Sequence, residues 1–556
     1  MLKVGSFTAF LVFFVVISLF ASIFSPVQAQ QHNNKFGIHI SDIDEAEKAT
    51  QLVNSSGGDW GYVTITINSN DRVVGKWQDK FNVLAQKHLI PIIRIATYGE
   101  GDSWRIPSKD DPHDWAEFFN KLYWPTQKRI VTVFNEPNHA TEWGNTVDPA
   151  SVARFLNETI DALRASNPDY IILNPGFDSS APQKLPAYMD QVTFMDAMEK
   201  EVPGIFSKLD GWSSHSYPNP GFAGMPTDTG RRTIANYKWE IDLLKKRFRV
   251  EKDLPVYITE TGWVVNNVDH PNIRLSESGA AANMKEAYEK VWNPDASVVA
   301  VTPFLLTYRL PLFSHFSWIR PDNSETEMYS TIKSLQKNAG IPIRESKSII
   351  TTVSIPGQIA QNNEVLATIT FKNIGNTQWT ADEGFGIAAN DPTKLVIRDN
   401  FELPASARIT PGQSYTFRFT LFTENILAKA PLDFQLQQNE LKFGEKLYIP
   451  IRIFQPPKLT IKTDPQTNVV TPVTITFQSL KDIDGIDNAQ IAKSGVIGTY
   501  SSKVFVPNQG VLVTLAAPNR DQVTQKITMA EGENTLMITL PPEKGFIDRI
   551  RQAFKF

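Results

Sequence analysis

Eight short runs rich in β-branched residues alternate with amphipathic helical patterns between residues 36 and 306. One helical pattern, 148–166, opens with Asp148, a good N-cap, before Pro149 at the first helical position. Eight strand–helix units are what a (β/α)8 TIM barrel of the α/β class requires. A doubly wound open sheet is the alternative, but no glycine-rich phosphate turn follows the first run. The predicted strands are 36–40, 62–67, 91–97, 129–135, 170–176, 209–217, 255–261 and 298–306.

The composition changes after about residue 345. Eleven of the twelve tryptophans and all eight histidines precede residue 319, whereas later runs alternate polar and apolar residues with period two. Such alternation is typical of a sheet with one buried face. We therefore predict a barrel over residues 34–340, followed by two all-β domains. These are an Ig-like sandwich at 346–455 and a second small β-sandwich at 458–542, joined through Gln455-Pro456-Pro457.

The two ends of the chain have their own patterns. Lys3, the 18-residue apolar stretch 7–24 and Val27-Gln28-Ala29 form the pattern of a signal peptide at residues 1–29. An uncleaved N-terminal membrane anchor, and so attachment to the membrane or cell envelope, is the alternative. Either reading predicts a secreted or cell-surface protein. Residues 543–556 are predicted to form a short amphipathic helix that packs on the last domain, with a membrane contact as the alternative.

Composition excludes several classes of site. The net charge of −4 gives no reason to expect a nucleic-acid partner. The chain has no cysteine, so neither a disulfide framework nor a thiolate zinc site can form. His139 and His315 have no partner at metal-ligand spacing. We therefore expect no metal and no other cofactor, and the sequence indicates no particular oligomeric state.

Two glutamates follow predicted strands at positions that matter in a barrel. Glu136 ends the fourth strand and Glu260 ends the seventh. Carboxylates at the end of a buried strand are costly to desolvate, so they are usually paired with a positive group or functional. Because side chains at the C-terminal strand ends converge on one open face, the two carboxyl groups can face each other across a bound sugar. Glycoside hydrolysis needs such a pair, one as acid and one as nucleophile.

The motifs around these glutamates resemble clan A of the glycoside hydrolases, retaining (β/α)8 enzymes with catalytic glutamates on strands four and seven. The resemblance rests on "FNEP" at 134–137, "TETGW" at 259–263 and "HSY" at 215–217, and covers about residues 34–340. "NEPNHATEW" is nearest the branch of β-xylosidases, iduronidases and biofilm-polysaccharide endoglycosidases, whereas "TETGW" is also similar to β-glucanases. The resemblance implies that Glu136 is the acid/base, Glu260 the nucleophile and a carbohydrate the substrate.

The resemblance also implies roles for neighbouring residues. Asn135 would hydrogen-bond the sugar 2-hydroxyl, His215 would lie beside the acid/base, and Tyr217 would donate to the nucleophile. Clan A members commonly have an arginine late on strand two, which this chain lacks. Arg94, on strand three, either substitutes for it or pairs structurally with a carboxylate. An ionised Glu260 would keep Glu136 protonated until the glycosyl-enzyme forms.

Four tryptophans follow strand ends and are candidates for stacking on sugar faces. Each is as easily explained as a core residue. They are Trp104, Trp143, Trp263 and Trp318.

The C-terminal domains carry weaker resemblances. "FKNIGNTQW" at 371–379 is similar to the strand and turn of tryptophan-motif Ig-like domains, although only Trp379 is present where that type has several tryptophans. A generic sandwich spacer is the alternative. The second β-sandwich resembles transthyretin-like and carboxypeptidase-regulatory-like domains. Because rows of aromatic residues typical of a carbohydrate-binding face are missing, spacing or surface attachment is favoured over sugar binding.

Three functional hypotheses follow. The first is an exported retaining β-glycoside hydrolase acting on a polysaccharide or glycoside by double displacement. The second is a catalytically inactive cell-surface carbohydrate-binding or adhesion protein on a barrel scaffold. The third, a structural envelope protein, predicts no cleft at the strand ends.

Overall fold

The computed structural model describes most of the chain, and the predicted signal peptide or anchor lies outside the described residues. The chain divides into two units, Met1–Glu345 with Gly375–Gln378, and Ser346–Ile374 with Trp379–Phe556. The predicted domain boundaries within these units stay predictions. The described residues are 33–265, 275–308, 313–392, 394–397, 401–425, 427–463, 473–479, 491–495, 499–501, 507–548 and 550.

The described part of the first unit contains eight parallel strands that form a closed barrel. Strands β1 to β5 pair in sequence order, as do β6 to β8. Parallel bridges from Leu173 to Gly211 and from Phe36 to Val301 join the two sheets at both edges. The predicted TIM barrel is confirmed. The strands are β1 Gly37–His39, β2 Gly61–Asn68, β3 Leu89–Ala96, β4 Arg129–Val133, β5 Tyr170–Leu173, β6 Trp212–His215, β7 Val256–Glu260 and β8 Val298–Val301.

The strands are almost continuously apolar because both of their faces are buried. One set of strand side chains, including Ile65, Ile93 and Val131, packs with the helices in the main core. Alternate residues such as Ile92 and Ile130 form a separate cluster. Successive strand side chains point to opposite faces, so the two clusters follow directly from the period of two.

Eight α-helices among the described residues alternate with the strands. Asp148 caps α4 as predicted, since its side chain accepts from the amide of Ser151 at 3.0 Å. A search of the described helices found none that combines the length and apolar character needed to cross a membrane. The helices are α1 Ala46–Val53, α2 Val74–Gln86, α3 Asp111–Asn120, α4 Pro149–Ser166, α5 Gln191–Glu201, α6 Asn236–Lys246, α7 Glu277–Ala287 and α8 Glu327–Ser334.

The second unit is built from β-sheets, as predicted. Its first two sheets share a core in which Trp379 lies fully buried beside Phe385. The likeness to Ig-like domains stays a prediction. At the C-terminal end, residues 546–548 and 550 are helical and Phe546 is 74% exposed, while 549 and 551–556 of the predicted helix lie outside the described residues. The strands are β9 Ser348–Ser354, β10 Gln358–Ala360, β11 Asn363–Asn373, β12 Phe385–Asn390, β13 Val396–Ile397, β14 Ser414–Thr423, β15 Ala428–Gln438, β16 Leu441–Phe454, β17 Lys458–Thr463, β18 Val473–Ser479, β19 Ile491–Gly495, β20 Thr499–Ser501, β21 Gly510–Ala516, β22 Val523–Thr528 and β23 Glu533–Ile538.

These strands form four sheets among the described residues of the second unit. The first two have the orders β9-β11-β14-β13 and β10-β16-β15-β12. The last two have the orders β20-β17-β23 and β19-β18-β21-β22. Alternate residues of β21, such as Val511 and Val513, are buried, which matches the period-two pattern of the sequence.

A buried lysine ties the end of the last barrel helix to the start of the barrel. Lys337 is 3% exposed, and its Nζ donates to the carbonyl oxygens of Ile332 at 2.8 Å and Leu335 at 2.9 Å. It also donates to the hydroxyl of Ser55 at 3.0 Å. Burial lowers the pKa of Lys337 to about 8. The ammonium group therefore adds a donor to carbonyl groups at the helix end, where the carbonyl of Ile332 also accepts from the amide of Leu335 at 3.3 Å.

Substitution Lys337→Met should destabilise the barrel, because it keeps the apolar stem but removes the hydrogen bonds that the buried ammonium group donates. We expect the thermal midpoint to fall by roughly 3–8 °C, corresponding to the loss of about 1–3 kcal/mol. Tryptophan fluorescence reports on this unit, since eleven of the twelve tryptophans precede residue 319. Lys285→Met, on the exposed face of α7, is the matched control. Equal midpoints for the two variants would contradict the proposed role of Lys337.

Candidate active site

A cavity of about 660 Å³ lies at the C-terminal ends of the barrel strands. Residues that end or follow four of the strands line it, namely Thr97 after β3, Glu136 after β4, His215 on β6 and Glu260 on β7. This is the face on which barrel enzymes place their catalytic groups. The hypothesis of a structural envelope protein predicted no such cleft.

Glu136 and Glu260 face each other across this cavity. One carboxylate oxygen of each, together with a ring nitrogen of His215, forms a group whose atoms all lie within 4.8 Å of one another. Glu260 is the last residue of β7. Glu136 follows β4 in a turn where Phe134 and Glu136 have φ values of 68° and 31°. Non-glycine residues rarely adopt such angles, and local strain of this kind is concentrated at functional sites.

His215 lies between the two carboxyl groups. Its Nδ1 is 2.7 Å from Oε1 of Glu136 and 3.8 Å from Oε2 of Glu260. Burial by itself lowers the pKa of His215, but the charge of Glu260 and the hydrogen bond with Glu136 outweigh it and raise that pKa to about 9. The imidazole ring is therefore positively charged at neutral pH.

Glu260 is held in its ionised form by its neighbours. Arg94 Nη1 donates to Oε1 at 2.9 Å, and the hydroxyl of Tyr217 donates to Oε2 at 3.0 Å. Burial raises the pKa of Glu260, but the charges of His215 and Arg94 outweigh it, so the pKa is lowered overall. Burial also raises the pKa of Tyr217 well above 10, which keeps its hydroxyl as a donor. Glu260 therefore has the charge that a nucleophile needs.

Arg94 connects this carboxylate to the amide of Asn135. Its Nη1 donates to Oδ1 of Asn135 at 2.8 Å, and its Nε donates to the hydroxyl of Thr66, its register partner on β2, at 3.0 Å. Among the described residues, none accepts from Nδ2 of Asn135, so this group is available to a ligand. Arg94 on β3 thus makes the contact with Glu260 that an arginine on strand two would otherwise supply.

Of the four candidate tryptophans, one lines the main cavity and three do not. Trp104 lines the cavity from the short hairpin of Gly99–Glu100 and Ser103–Trp104. Trp143 is 1% exposed and packs edge-on against Phe134 in the core, where no sugar can reach its ring. Trp263 and Trp318 are each 3% exposed and line a different cavity of about 190 Å³. The structure therefore does not place these three at the main cavity, because the turns after their strands direct the rings into the protein.

Aromatic residues other than tryptophan also line the main cavity. Tyr188 and Phe313 line the cavity, and each is 37% exposed. Phe222 and Phe316 also line it and pack together with a ring-centroid separation of 5.2 Å. None of these residues belongs to a motif that predicts a site. They lie in loops rather than directly at strand ends, so no spacing rule pointed to them.

Several polar residues at the cavity were also missed. His139 pairs with Asp178, its Nε2 lying 2.9 Å from Oδ2, although the two residues come from different loops. Burial lowers the pKa of His139, but the hydrogen bond with Asp178 and the charges of Glu136, Asp178 and Glu142 together outweigh it and raise that pKa overall. Glu142 lines the cavity as well, and His315 lies at the smaller cavity instead. His39 is buried near Arg94, and burial lowers its pKa to about 3, so this ring is neutral.

The donor types of Glu136, His215 and Glu260 could in principle hold a metal ion. Their charges oppose it. A metal-bound histidine must lose its proton, which the raised pKa of His215 makes costly. The guanidinium group of Arg94 already occupies one oxygen of Glu260. The arrangement suits proton transfer and nucleophilic attack better than metal binding.

Comparison with known families agrees with this chemistry. Residues 48–293 match the model of a family described as Cellulase (glycosyl hydrolase family 5), which belongs to clan A. The matched segment includes Glu136 and Glu260 and covers less than half of the chain. The match supports an O-glycosyl hydrolase. The more specific branch named from "NEPNHATEW" stays a prediction.

Solved structures with similar folds include three glycoside hydrolases. A family 39 enzyme from the gut symbiont Bacteroides cellulosilyticus WH2 is 14% identical, with 70% of this chain and 81% of that chain covered and a TM-score of 0.38. An endo-β-1,4-glucanase from Xanthomonas axonopodis pv. citri is 13% identical, with coverage of 54% and 98% and a TM-score of 0.36. A β-mannanase from Thermomonospora fusca is 13% identical, with coverage of 52% and 85% and a TM-score of 0.33. TM-scores this low do not establish a shared activity. No curated protein matches the chain.

Substitution Gly176→Ala should displace His215. A Cβ atom at position 176 would lie 2.1 Å from Nε2 of His215, so the ring must move and its 2.7 Å contact with Glu136 must break. We expect the pKa of His215, measured by NMR of labelled histidine, to fall from about 9 toward its ordinary value. Gly75→Ala, where an added Cβ meets nothing within 4 Å, is the control. An unchanged pKa in the Gly176→Ala variant would show that the ring keeps its position.

The charge of His215 should also make the stability of the barrel depend on pH. Its pKa is about 9 in the folded chain and about 6.5 when unfolded, so its contribution is fully present below pH 6.5. The contribution is lost as the pH rises through 9. The stability difference between wild type and His215→Gln should therefore shrink by roughly 3 kcal/mol between pH 6 and 10. Urea unfolding followed by tryptophan fluorescence measures it, with the exposed His113→Gln as control. A constant difference across this range would contradict the assignment.

Proposed function

We propose that this chain is an exported retaining β-glycoside hydrolase that cleaves a polysaccharide or glycoside by double displacement. The observation that supports it most directly is the approach of Glu136 and Glu260, whose carboxylate oxygens lie within 4.8 Å. Retaining enzymes hold their carboxyl groups about 5–5.5 Å apart, whereas inverting enzymes need about 6.5–9.5 Å to admit a water molecule. The short separation favours direct attack by one carboxylate.

In the first step, Glu260 attacks the anomeric carbon while Glu136 protonates the glycosidic oxygen. Glu260 suits attack because Arg94 and Tyr217 hold its carboxylate in place and keep it ionised. Glu136 lies on the other side of the cavity, with Oε1 2.7 Å from Nδ1 of His215, and is proposed to donate the proton to the leaving oxygen. The glycosidic bond breaks, the leaving group departs as an alcohol, and a glycosyl ester forms on Glu260.

In the second step, a water molecule hydrolyses this ester. Esterification removes the negative charge of Glu260, and Glu136, now ionised, takes a proton from the water. The water oxygen bonds to the anomeric carbon and Glu260 leaves as a carboxylate. Two displacements at the same carbon retain its configuration.

Asn135 is proposed to bind the sugar 2-hydroxyl through Nδ2. The Arg94 guanidinium engages Oδ1 and so fixes the orientation of the amide. Hydrogen bonds to the 2-hydroxyl strengthen in the transition state, which makes this contact part of catalysis as well as binding.

Export is proposed from the N-terminal sequence pattern. Lys3, the apolar stretch 7–24 and Val27-Gln28-Ala29 support a signal peptide or anchor, and hence a secreted or cell-surface location. A polymer that cannot enter cells would be accessible to the enzyme there.

Substitution Glu260→Ala tests the mechanism. Wild type should release sugar from at least one member of a panel of aryl β-glycosides and plant or microbial polysaccharides. The variant should lose roughly 10³–10⁶-fold in kcat because the nucleophile is absent. Sodium azide should restore part of the activity and yield the α-glycosyl azide, since a small anion can occupy the space of the missing carboxylate. Reducing-sugar release and NMR of the product anomer measure these effects.

The exposed Glu158→Ala on α4 is the matched control and should keep full activity. Retained activity in Glu260→Ala, or inverted configuration in the wild-type product, would refute the retaining mechanism. Tight binding of a glycan by wild type without cleavage would instead support the carbohydrate-binding protein.

A further inference from the structure

Glu142 is a third glutamate at the cavity, and the proposed reaction gives it no task. It ends the 3-10 turn Ala140–Glu142, six residues after Glu136, and its side chain lines the same cavity. The turn is fixed by the amide of Glu142, which donates to the carbonyl oxygen of His139 at 3.2 Å. The backbone therefore holds this carboxyl group at the cavity wall.

The carboxyl group of Glu142 has no protein donor among the described residues. In this it differs from the other acids of the cavity: Glu136 contacts His215, Glu260 contacts Arg94 and Tyr217, and Asp178 contacts His139. The side chain of Glu142 is half-buried, so its carboxyl group is open to the cavity rather than enclosed by the protein. Burial and the charge of Glu136 raise the pKa of Glu142 to about 7. The group is thus a half-buried acceptor that lines the cavity and has no protein donor among the described residues.

We propose that Glu142 is a specificity-determining residue that binds a hydrogen-bond donor of the sugar, a hydroxyl or an ammonium group. This inference rests on the proposed function, because it names the sugars that the site accepts. A bound sugar excludes water from the cavity and provides the donor that the protein does not.

The same position disfavours acidic sugars. Glu136, Asp178 and Glu260 also line the cavity, so a uronic acid would bring its carboxylate among four acidic groups. Like charges repel strongly in a partly buried site. The cationic side chains among the described lining residues are already engaged: Arg94 with Glu260 and Asn135, His215 with Glu136, and His139 with Asp178. We therefore expect neutral or amino sugars as substrates rather than uronic acids.

A variant that binds a sugar but cannot hydrolyse it allows sugar binding to be tested separately from the proposed reaction. The full-length Glu260→Gln variant is titrated by calorimetry at pH 7 with four probes. These are cellohexaose, mannohexaose, chitosan hexaose and hexagalacturonate. At least one neutral or amino probe should bind more tightly than hexagalacturonate.

Two further changes in the Glu260→Gln background identify the contact. Glu142→Ala should weaken binding of the preferred probe by about tenfold or more, because a hydrogen bond to the carboxyl group at the cavity wall is lost. Glu142→Gln keeps an acceptor oxygen, so it should preserve binding within about threefold if the donor is a hydroxyl and lose about tenfold if it is an ammonium group. It should also strengthen binding of hexagalacturonate.

Glu158→Gln, which removes the same charge from an exposed position on α4, is the control and should change neither preference. The pKa of His215, measured by NMR in Glu142 variants that keep Glu260, should stay raised, since a merely structural role would disturb the neighbouring Glu136. Unchanged binding in Glu142→Ala, tighter binding of hexagalacturonate than of the other probes, or binding of none of them would overturn the inference. If the variants bind the probes as expected but the wild-type protein hydrolyses none of its substrates, the proposed hydrolysis is contradicted. Glu142 then remains a binding residue.

Discussion

The close approach of two carboxyl groups is the constraint on which the rest of the site depends. Ionised oxygens within 4.8 Å of each other repel, and a partly buried setting strengthens the repulsion. The protein offsets it with two positive groups, the guanidinium of Arg94 on Glu260 and the imidazolium of His215 between the pair. Each cation does more than balance charge. Arg94 also orients Asn135, and His215 contacts Oε1 of Glu136 at 2.7 Å.

The barrel provides the rigidity that this balance of charges requires. Glu260 and His215 sit on paired strands, and Arg94 is held from β2 through Thr66. Gly176 matters because the ring of His215 packs where a side chain at that position would be. The turn at Glu136 has an unfavourable backbone conformation that the surrounding packing maintains. Small displacements of such groups are costly for catalysis, so a closed, densely packed frame suits the chemistry.

Much of the fold could be predicted from sequence, because strand periodicity and caps are local. The eight strands lie where runs of β-branched residues occur, and Asp148 caps its helix. The positions of Glu136 and Glu260 could also be predicted, since they end strands whose order is fixed by the barrel. Which tryptophan side chains line the cavity could not be predicted. Trp143 and Trp104 both follow strands, yet one packs into the core and the other lines the cavity. The direction of a loop side chain depends on the path of the loop, which neither composition nor spacing specifies.

The sequence by itself determined the order of strands and helices, the glutamates at two strand ends and the change to all-β structure after the barrel. These follow from rules that act over a few residues or that any closed barrel obeys. Only the tertiary structure decided that Arg94 reaches Glu260, that Asp178 pairs with His139 and that Glu142 is left without a protein donor. Each of these depends on which loops meet over the barrel and at what distance. Hydrogen bonds and charge interactions change steeply within an ångström, and such distances are set by packing rather than by sequence separation.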